Sequence, residues 1–265
     1  MPRGPIVLLT DFGTRDWYVA ALKGVLAARA PAARIIDLTH EVPPQDVATG
    51  AFLLSAASPW FPRGTIFVAV VDPGVGSRRR LLAVASAGRY FLGPDNGLLA
   101  LSLQHDPRAR IIELTNRRFW LTPVSRTFHG RDILAPVAAH LARGVALHQL
   151  GLRRPSLQPL PRSAARRHGR GVTGVIIHID AFGNLITNLD AAACGVSARV
   201  HRCTVQVRRR RIPVVSSYAD GRPGQPIAVV NSLGLLEVAV FQGSAAGQLR
   251  ARRGDRVELR RIAPR

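Results

Sequence analysis

The stretch TFHGRD, from Thr127 to Asp132, places an imidazole, a guanidinium and a carboxylate directly before an apolar run. Asp132 in this position is typical of a helix cap, with Arg131 paired to it on the surface. His129 is explained poorly by this interpretation, because an imidazole there neither caps a helix nor belongs to an apolar stripe. His129 is therefore the candidate reactive group of the stretch.

A second polar motif, VVDPGVGSRRR, follows a β-branched run, and Arg79 lies seven residues after Asp72. Its glycines allow the backbone to approach a ligand closely. The motif lacks the GK[ST] of a phosphate-binding P-loop and is not GxGxxG. Because Asp-Pro-Gly is most often only a turn, the motif alone assigns no function.

A third motif, TDFGTRDWY, places Asp11 at the end of the first predicted strand, with Asp16 and Tyr18 at the start of the next helix. A carboxylate at a strand end can accept two hydrogen bonds from a vicinal diol, as ribose-binding acids do. We interpret Asp11 as a ligand residue. For Asp16, a ligand role and a helix cap are both open.

Two stretches of the second half, HIDAFGNLITN and NSLGLLEVAV, also carry candidate ligand groups. They supply carboxylates, an amide and a hydroxyl among small residues: Asp180, Asn184, Ser232 and Glu237. Phe182 offers a ring that can stack on a flat base. The alternative is turn chemistry, which suffices for Asn188 and Asn231.

The sequence carries no recognisable metal motif. Its eight histidines show no HExxH spacing, and His140 and His148 fit structural positions in or after a helix. Cys194 and Cys203 form no CxxC pair, so we expect buried reduced thiols. A GxSxG nucleophile motif is also missing.

The net charge of +21 suggests a nucleic-acid-binding protein. The basic excess is spread over both halves of the chain, however, and no DNA-binding motif accompanies it. We interpret the run from Arg208 to Arg211 as a solvated edge or hairpin, and specific nucleic-acid binding is not predicted. No apolar run approaches the roughly 20 residues of a membrane span, and the N-terminus does not resemble a signal peptide. We therefore expect a cytoplasmic protein.

The elements that position these groups differ between the two halves. Residues 1–155 alternate strand-like and helix-like segments, which predicts a Rossmann-like α/β domain with a mostly parallel sheet. In such sheets, ligands bind beyond the carboxyl ends of the strands. Residues 156–170 are rich in Arg, Pro and Ser, which is typical of a linker. Residues 171–265 show short strands between turns, which predicts a small antiparallel β-barrel or sandwich.

Seven ordered stretches resemble those of the S-adenosyl-L-methionine (SAM) hydrolases, or SAM hydroxide adenosyltransferases, which are related to the fluorinase and chlorinase enzymes. The resemblance runs from about residue 5 to 260 and consists of LLTDFGTRDWYVAALKGV, IIDLTHEVPPQDVATGAFLL, VVDPGVGSRRR, GPDNGLL, TFHGRDILAPVAAHL, HIDAFGNLITN and NSLGLLEVA. It implies an N-terminal α/β domain, a C-terminal β-barrel domain, and a homotrimer whose sites lie between one subunit's first domain and a neighbour's second. SAM is then the substrate and adenosine the product, with no cofactor and no metal.

The resemblance also implies a role for each candidate residue. The hydrolase branch carries an Asp-Arg-His set, which falls on Asp72, Arg79 and His129. Asp11 becomes the acceptor for the ribose diol. The remaining substrate-binding candidates are Asp16, Tyr18, Phe128, Asp180, Phe182, Asn184, Ser232, Glu237 and the main chain near Val240.

Two alternatives stay open on the sequence. A SAM-dependent 5′-halogenase is disfavoured because halogenases lack the Asp-Arg-His set. The fluorinase pattern also has a halide-contacting serine where this chain has Gly130. The other alternative is a non-catalytic protein that binds adenosine or nucleic acid. Within a SAM hydrolase, Arg79 beside His129 would favour hydroxide-like character in a bound water, and Asp72 would hold Arg79 or orient the water.

Overall fold

The computed structural model describes residues 4–104, 106–161, 163–169, 171–196 and 203–261. His105 and His201, two of the histidines judged not to bind metal, lie outside these residues. The chain divides into two compact units, Met1–Pro161 and Arg162–Arg265.

The first unit contains a seven-stranded sheet in the order β2-β1-β3-β5-β4-β6-β7. The strands are β1 (Ile6–Thr10), β2 (Ile35–Thr39), β3 (Ile66–Val70), β4 (Leu81–Ser86), β5 (Arg89–Pro94), β6 (Arg110–Leu114) and β7 (Gly151–Arg154). The pairs β1–β2, β1–β3 and β3–β5 are parallel, whereas β4–β5, β4–β6 and β6–β7 are antiparallel. The prediction of a mostly parallel sheet was therefore wrong. The tight β4–β5 hairpin reverses the chain, and the later strands then add in antiparallel orientation.

Helices cover both faces of this sheet, because alternate residues of its central strands are apolar on both sides. In β1, Ile6 and Leu8 belong to one buried cluster and Val7 and Leu9 to the other. The first cluster includes buried residues of α1 (Tyr18–Arg29) and α4 (Ala135–Ala142), and the second includes α2 (Val47–Ala57) and α3 (Ala100–Leu103). Burial on both faces is what an α/β layer requires.

The second unit contains an eight-stranded sheet in the order β12-β11-β15-β9-β10-β14-β13, with β8 paired to β9. The strands are β8 (Arg166–His168), β9 (Gly171–Ile179), β10 (Leu185–Asp190), β11 (Cys203–Val207), β12 (Arg210–Pro213), β13 (Pro226–Val230), β14 (Leu235–Val240) and β15 (Arg256–Arg261). All pairs in this order are antiparallel. A bridge between Val214 and Ala228 joins the two ends of the order, so the sheet is barrel-like and nearly closed.

Local features of the second unit bear on two further predictions. The arginine run forms the turn of the β11–β12 hairpin and the first residues of β12, which fits the predicted hairpin, and Arg208 lies in the left-handed region at φ 53°. The short strand β8 lies inside the segment predicted as a linker. The only α-helix in the described part of this unit is α5 (Ala245–Leu249).

Within the described residues, no helix is long and apolar enough to cross a membrane. The longest of them, α1, has 12 residues. A spanning helix needs about 20.

Candidate active site

The first unit places its polar motifs at one edge of the sheet. Asp11 directly follows strand β1, and Asp72 lies two residues after the end of strand β3. Strands β1 and β3 are parallel neighbours and pair along the whole of β1, from Ile6 to Thr10. Their carboxyl ends therefore meet at the same edge, where ligands bind in α/β sheets.

The loop after β3 turns back so that Arg79 reaches Asp72. The Val75 N–H donates to the Asp72 carbonyl over 3.2 Å, and the Ser77 N–H donates to the Gly74 carbonyl over 3.0 Å. Gly76 has φ 80°, a left-handed conformation that side chains with a Cβ rarely adopt. Gly76 of the motif thus serves the tight turn.

Asp72, Arg79 and His129 form one hydrogen-bonded chain. Arg79 Nε lies 2.7 Å from Asp72 Oδ1 and 2.9 Å from Oδ2, and Arg79 Nη2 also donates to Oδ2. The same Nη2 lies 2.9 Å from His129 Nδ1. The side chains of Asp72 and Arg79 are only 7% and 10% exposed, respectively. The structure therefore brings together three predicted residues that span more than fifty positions of sequence.

His129 is held in one protonation state by this arrangement. Burial lowers the pKa of His129, and the positive charge of Arg79 lowers it further, while Asp72, Asp132 and the backbone of Ser125 oppose the shift. A guanidinium N–H can only donate, so His129 Nδ1 accepts from Arg79. The imidazole is therefore neutral with its proton on Nε2.

Asp132 does not cap a helix, which corrects the sequence interpretation. It lies inside the π-helical turn Gly130–Leu134, is 1% exposed, and its Oδ2 accepts from the Ser125 N–H over 2.8 Å. Arg131 Nε donates to Asp132 Oδ1 over 2.6 Å, as the predicted pair requires. Asp132 thus ties the turn that carries His129 to the preceding loop, since both its oxygens are occupied.

Asp11 has a carboxylate that is oriented by the backbone. The Gln45 N–H donates to Asp11 Oδ2 over 2.8 Å. Partial burial raises the pKa of Asp11, and the nearby negative charge of Asp72 raises it further, although the Gln45 hydrogen bond opposes the shift. Among the described residues, no side chain donates to this carboxylate, so its donors are the backbone N–H groups of Gln45 and Asp11.

Three aromatic rings that follow Asp11 in sequence pack around Phe128. Phe128 contacts Phe12, Trp17 and Tyr18 with ring centroids 5.4 to 5.7 Å apart. Trp17 is 56% and Tyr18 40% exposed, whereas Phe128 is buried. Sequence analysis missed Phe12 and Trp17 as members of this group, although both stand in the TDFGTRDWY motif.

Asp16 is exposed, and the capping alternative for it was wrong. The residue at the N-cap of α1 is Trp17, and no side chain caps that helix. The ligand interpretation of Asp16 stays a prediction.

In the second unit, Asp180 shapes the turn between β9 and β10. Its Oδ1 accepts from the N–H groups of Phe182 and Asn184, each over 2.9 Å, and its Oδ2 accepts from Asn184 Nδ2 over 3.0 Å. Phe182, at the tip of this turn, is 79% exposed. Asp180 therefore positions the loop that carries the Phe182 ring and the Asn184 amide.

A cavity of about 510 Å³ in the same unit is lined by Asp180, Ser232 and Glu237. Glu237 is 4% exposed, and its two oxygens accept from Tyr218 Oη over 2.6 Å and from Asn231 Nδ2 over 3.1 Å. Burial and the adjacent carboxylate raise the pKa of Tyr218. Glu237 thus holds Tyr218, which lines the cavity and was missed because the SSYADG stretch has the composition of an ordinary turn.

Three other residues of the second unit were named in the sequence analysis: Val240 as a main-chain ligand contact, and Asn188 and Asn231 as turn residues. Val240 lies in the core of the unit, so only its main chain is a candidate for ligand contact. Asn231 Oδ1 accepts from the N–H groups of Leu233 and Leu235, as turn chemistry predicts. For Asn188 that prediction was wrong, because its amide joins the Val175 N–H to the Ser163 carbonyl.

Within the part of the chain that the structure describes, no group of three His, Cys, Asp or Glu side chains is placed to hold a metal ion. Cys194 and Cys203 are buried and form no disulfide, as expected. Burial raises the pKa of the Cys194 thiol. His140 packs edge-on against Phe119, as expected for a structural histidine.

Comparison with known proteins places both units in one family. Residues 6–151 match the SAM hydroxide adenosyltransferase N-terminal domain, and residues 174–258 match the corresponding C-terminal domain.

Individual relatives agree with this assignment. The (R)-S-adenosyl-L-methionine hydrolase of Thermus thermophilus is 43% identical over 96% of this chain and 99% of its own length. A fluorinase of Actinoplanes is more distant, at 29% identity over 88% of this chain and 90% of its own. The crystal structure of an uncharacterized conserved protein from Thermotoga maritima superposes with a TM-score of 0.91, at 36% identity, over 97% of this chain and all of that one.

Proposed function

This chain belongs to the SAM hydroxide adenosyltransferase family, and on that premise we propose that it hydrolyses S-adenosyl-L-methionine to adenosine and L-methionine. The observation that carries the proposal is the hydrogen-bonded chain of Asp72, Arg79 and His129. The curated relatives of 40% identity or more bear the name of SAM hydrolase, whereas the fluorinases are more distant.

In the proposed reaction, a water oxygen bonds to ribose C5′ while the C5′–S bond breaks. The sulfur keeps the bonding pair and leaves as the neutral thioether of methionine, so the leaving group needs no acid. One proton of the water stays on the new 5′-hydroxyl, and the other is released. No cofactor is needed. The protein's task is to align the water with C5′ and to stabilise its developing hydroxide character.

Arg79 is the proposed source of that stabilisation. Its guanidinium is held from two sides, because Asp72 binds it through both carboxylate oxygens and neutral His129 accepts from it. The low exposure of the pair limits screening by bulk water, which strengthens the local field. A fixed cation in a site of low exposure favours the hydroxide-like form of a nearby water.

We propose that Asp11 accepts the ribose diol and that Asp16, Tyr18 and Phe128 bind the substrate beside it. In the second unit, Phe182 is proposed to stack on or flank the ligand, and Asn184 to contact its methionine end. Further proposed contacts come from the cavity residues Asp180 and Ser232, from Tyr218 held by Glu237, and from the main chain near Val240. We assign these roles to the domains 1–155 and 171–265, joined by the linker 156–170, in a cytoplasmic enzyme.

The activity is tested directly by incubating the purified protein with SAM and separating the products by chromatography. We expect adenosine and methionine in equal amounts. Arg79→Ala and His129→Ala should lose turnover but still bind adenosine, whereas the neighbouring control Arg78→Ala should keep full turnover. Halogenated adenosine formed only with chloride or fluoride would instead show a halogenase. Binding without any product would show a non-catalytic protein.

We further propose a homotrimer in which each site combines one subunit's first domain with a neighbour's second. Light scattering measures the mass of the assembly. Mixing inactive His129→Ala and Phe182→Ala subunits then tests whether sites are shared. We expect mixed trimers to regain part of the activity, because some of their sites contain neither substitution. No recovery after confirmed subunit exchange would rule out shared sites.

A further inference from the structure

A second cavity of the first unit, of about 710 Å³, adjoins the Asp72–Arg79–His129 chain. Arg79 and His129 form part of its wall, and Ile133, one turn after His129, also lines it. Phe128, in contrast, packs against Phe12 and Tyr18. None of the residues proposed to bind substrate lines this cavity.

The wall of the cavity is strongly basic. Besides Arg79 it includes Arg80, Arg117 and Arg126, whereas Glu113 is its only carboxylate among the described residues. A cavity of this volume is in the range that holds a small molecule.

Two of these cations carry charge that no carboxylate of the described residues neutralises. Arg79 and Arg80 are paired with Asp72 and Asp95, and Glu113 is paired with Arg154. Arg117 and Arg126 have no carboxylate partner in the described part of the chain. Arg117 lies over the Trp120 ring, 5.6 Å from its centroid, which orients the guanidinium.

We propose that this cavity binds the phosphate group of a small molecule between Arg117 and Arg126, and that the bound phosphate slows hydrolysis. Two uncompensated guanidiniums match the charge of a phosphate dianion, and each offers N–H donors to its oxygens. The cavity is larger than a phosphate ion, which leaves room for an organic part beside Trp120. The hydroxyl of Thr115 in the same wall supplies a further donor.

The effect on hydrolysis follows from the shared wall, and this part of the inference rests on the proposed function. A dianion beside Arg79 and His129 reduces the positive potential that the proposed reaction uses. The cavity lacks the substrate-binding residues, so phosphate and SAM would bind together. We therefore expect phosphate to lower kcat with little change in KM.

Binding is tested by calorimetric titration of the full-chain protein with inorganic phosphate at constant ionic strength. The test variant is Arg117→Gln/Arg126→Gln. The control is Arg110→Gln/Arg118→Gln, which removes the same charge from exposed residues outside the cavity wall. We expect the test variant to bind phosphate at least about tenfold more weakly than the wild-type protein, because it loses charge-assisted hydrogen bonds. The control should bind phosphate as tightly as the wild-type protein does. Equal weakening in both variants, or no binding to the wild-type protein, would overturn the proposal.

A kinetic experiment separates this inference from the proposed function. Without phosphate, the test variant should hydrolyse SAM more slowly than the wild-type protein, because it lacks two of the positive charges in the wall beside Arg79. Added phosphate should slow the wild-type protein and the control and leave the rate of the test variant unchanged. Competition of phosphate with SAM, seen as a rise in KM alone, would refute a separate site. If the protein does not hydrolyse SAM at all, the proposed function fails while the binding result still decides the phosphate site.

Discussion

Replacing Asp72 by Asn tests the central feature of the site, the buried ion pair with Arg79. The two side chains are 7% and 10% exposed, and Arg79 Nε reaches both carboxylate oxygens within 2.9 Å. Removing one partner of such a pair leaves the other charge buried, at a cost of about 3–5 kcal/mol in the free energy of unfolding. With a urea m-value of about 2 kcal/mol/M, the unfolding midpoint should fall by about 1.5–2.5 M.

The measurement can be confined to the first unit, because it contains all three tryptophans of the chain, Trp17, Trp60 and Trp120. Tryptophan fluorescence in urea therefore reports the unfolding of the unit that holds the pair. The matched control is Lys23→Met, which breaks the pair of Lys23 with Asp37, where the side chains are 37% and 41% exposed. An exposed pair contributes about 0.2–1 kcal/mol, so its midpoint should move by less than about 0.5 M.

A double-mutant cycle completes the test. Asp72→Asn/Arg79→Met removes both charges, and we expect it to cost at least about 2 kcal/mol less than the sum of the single variants. The reasoning is refuted if Asp72→Asn destabilises the first unit no more than Lys23→Met does. Additive single effects would likewise show that the two side chains do not act as a pair.

Four further predictions concern the same region. Arg79→Gln should raise the pKa of His129 toward its ordinary value, because it removes a positive charge; NMR titration of the imidazole measures this, and an unchanged or lower pKa would contradict it. In the wild-type protein the pKa of His129 is lower in the folded chain than in the unfolded chain. Below the ordinary pKa of histidine, the unfolded chain therefore binds more protons at this residue, and the free energy of unfolding should decrease as pH falls. Gly76→Ala should cost about 1–3 kcal/mol and reduce turnover, because a Cβ at φ 80° would lie 2.6 Å from the Arg126 carbonyl oxygen; unchanged fluorescence-detected unfolding would contradict it. Gly130→Ser should fold within about 1 kcal/mol of wild type, since its Cβ would meet no atom closer than 3.5 Å; product analysis with and without chloride then tests whether this position affects the choice of nucleophile.

Much of the architecture could be predicted because hydrophobic periodicity is a local property of the chain. The alternation of strands and helices in the first half, the short strands of the second half, and the hairpin at Arg208 all followed from it. The family resemblance, confirmed by both domain matches, rests on motifs that are also contiguous in sequence. The orientation of the later strands of the first sheet could not be predicted in this way, because the hydrophobic pattern of a strand does not indicate which strand it pairs with.

The residues of the candidate site could be predicted from the sequence, but their arrangement could not. Asp72, Arg79 and His129 were selected from motifs and resemblance. Their hydrogen-bond order, with Arg79 in the middle, depends on the turn after β3 and on the π-helical turn at Gly130.

The sequence by itself determined which residue types stand at the strand ends and which family the chain belongs to, because both are properties of short contiguous stretches. Only the tertiary structure decided what each polar side chain faces. Asp132, expected at a helix cap, is buried and ties a loop, and Glu237 turns both its oxygens to Tyr218 and Asn231. The physical reason is that a buried carboxylate must find donors, and those donors come from segments that meet only when the chain folds.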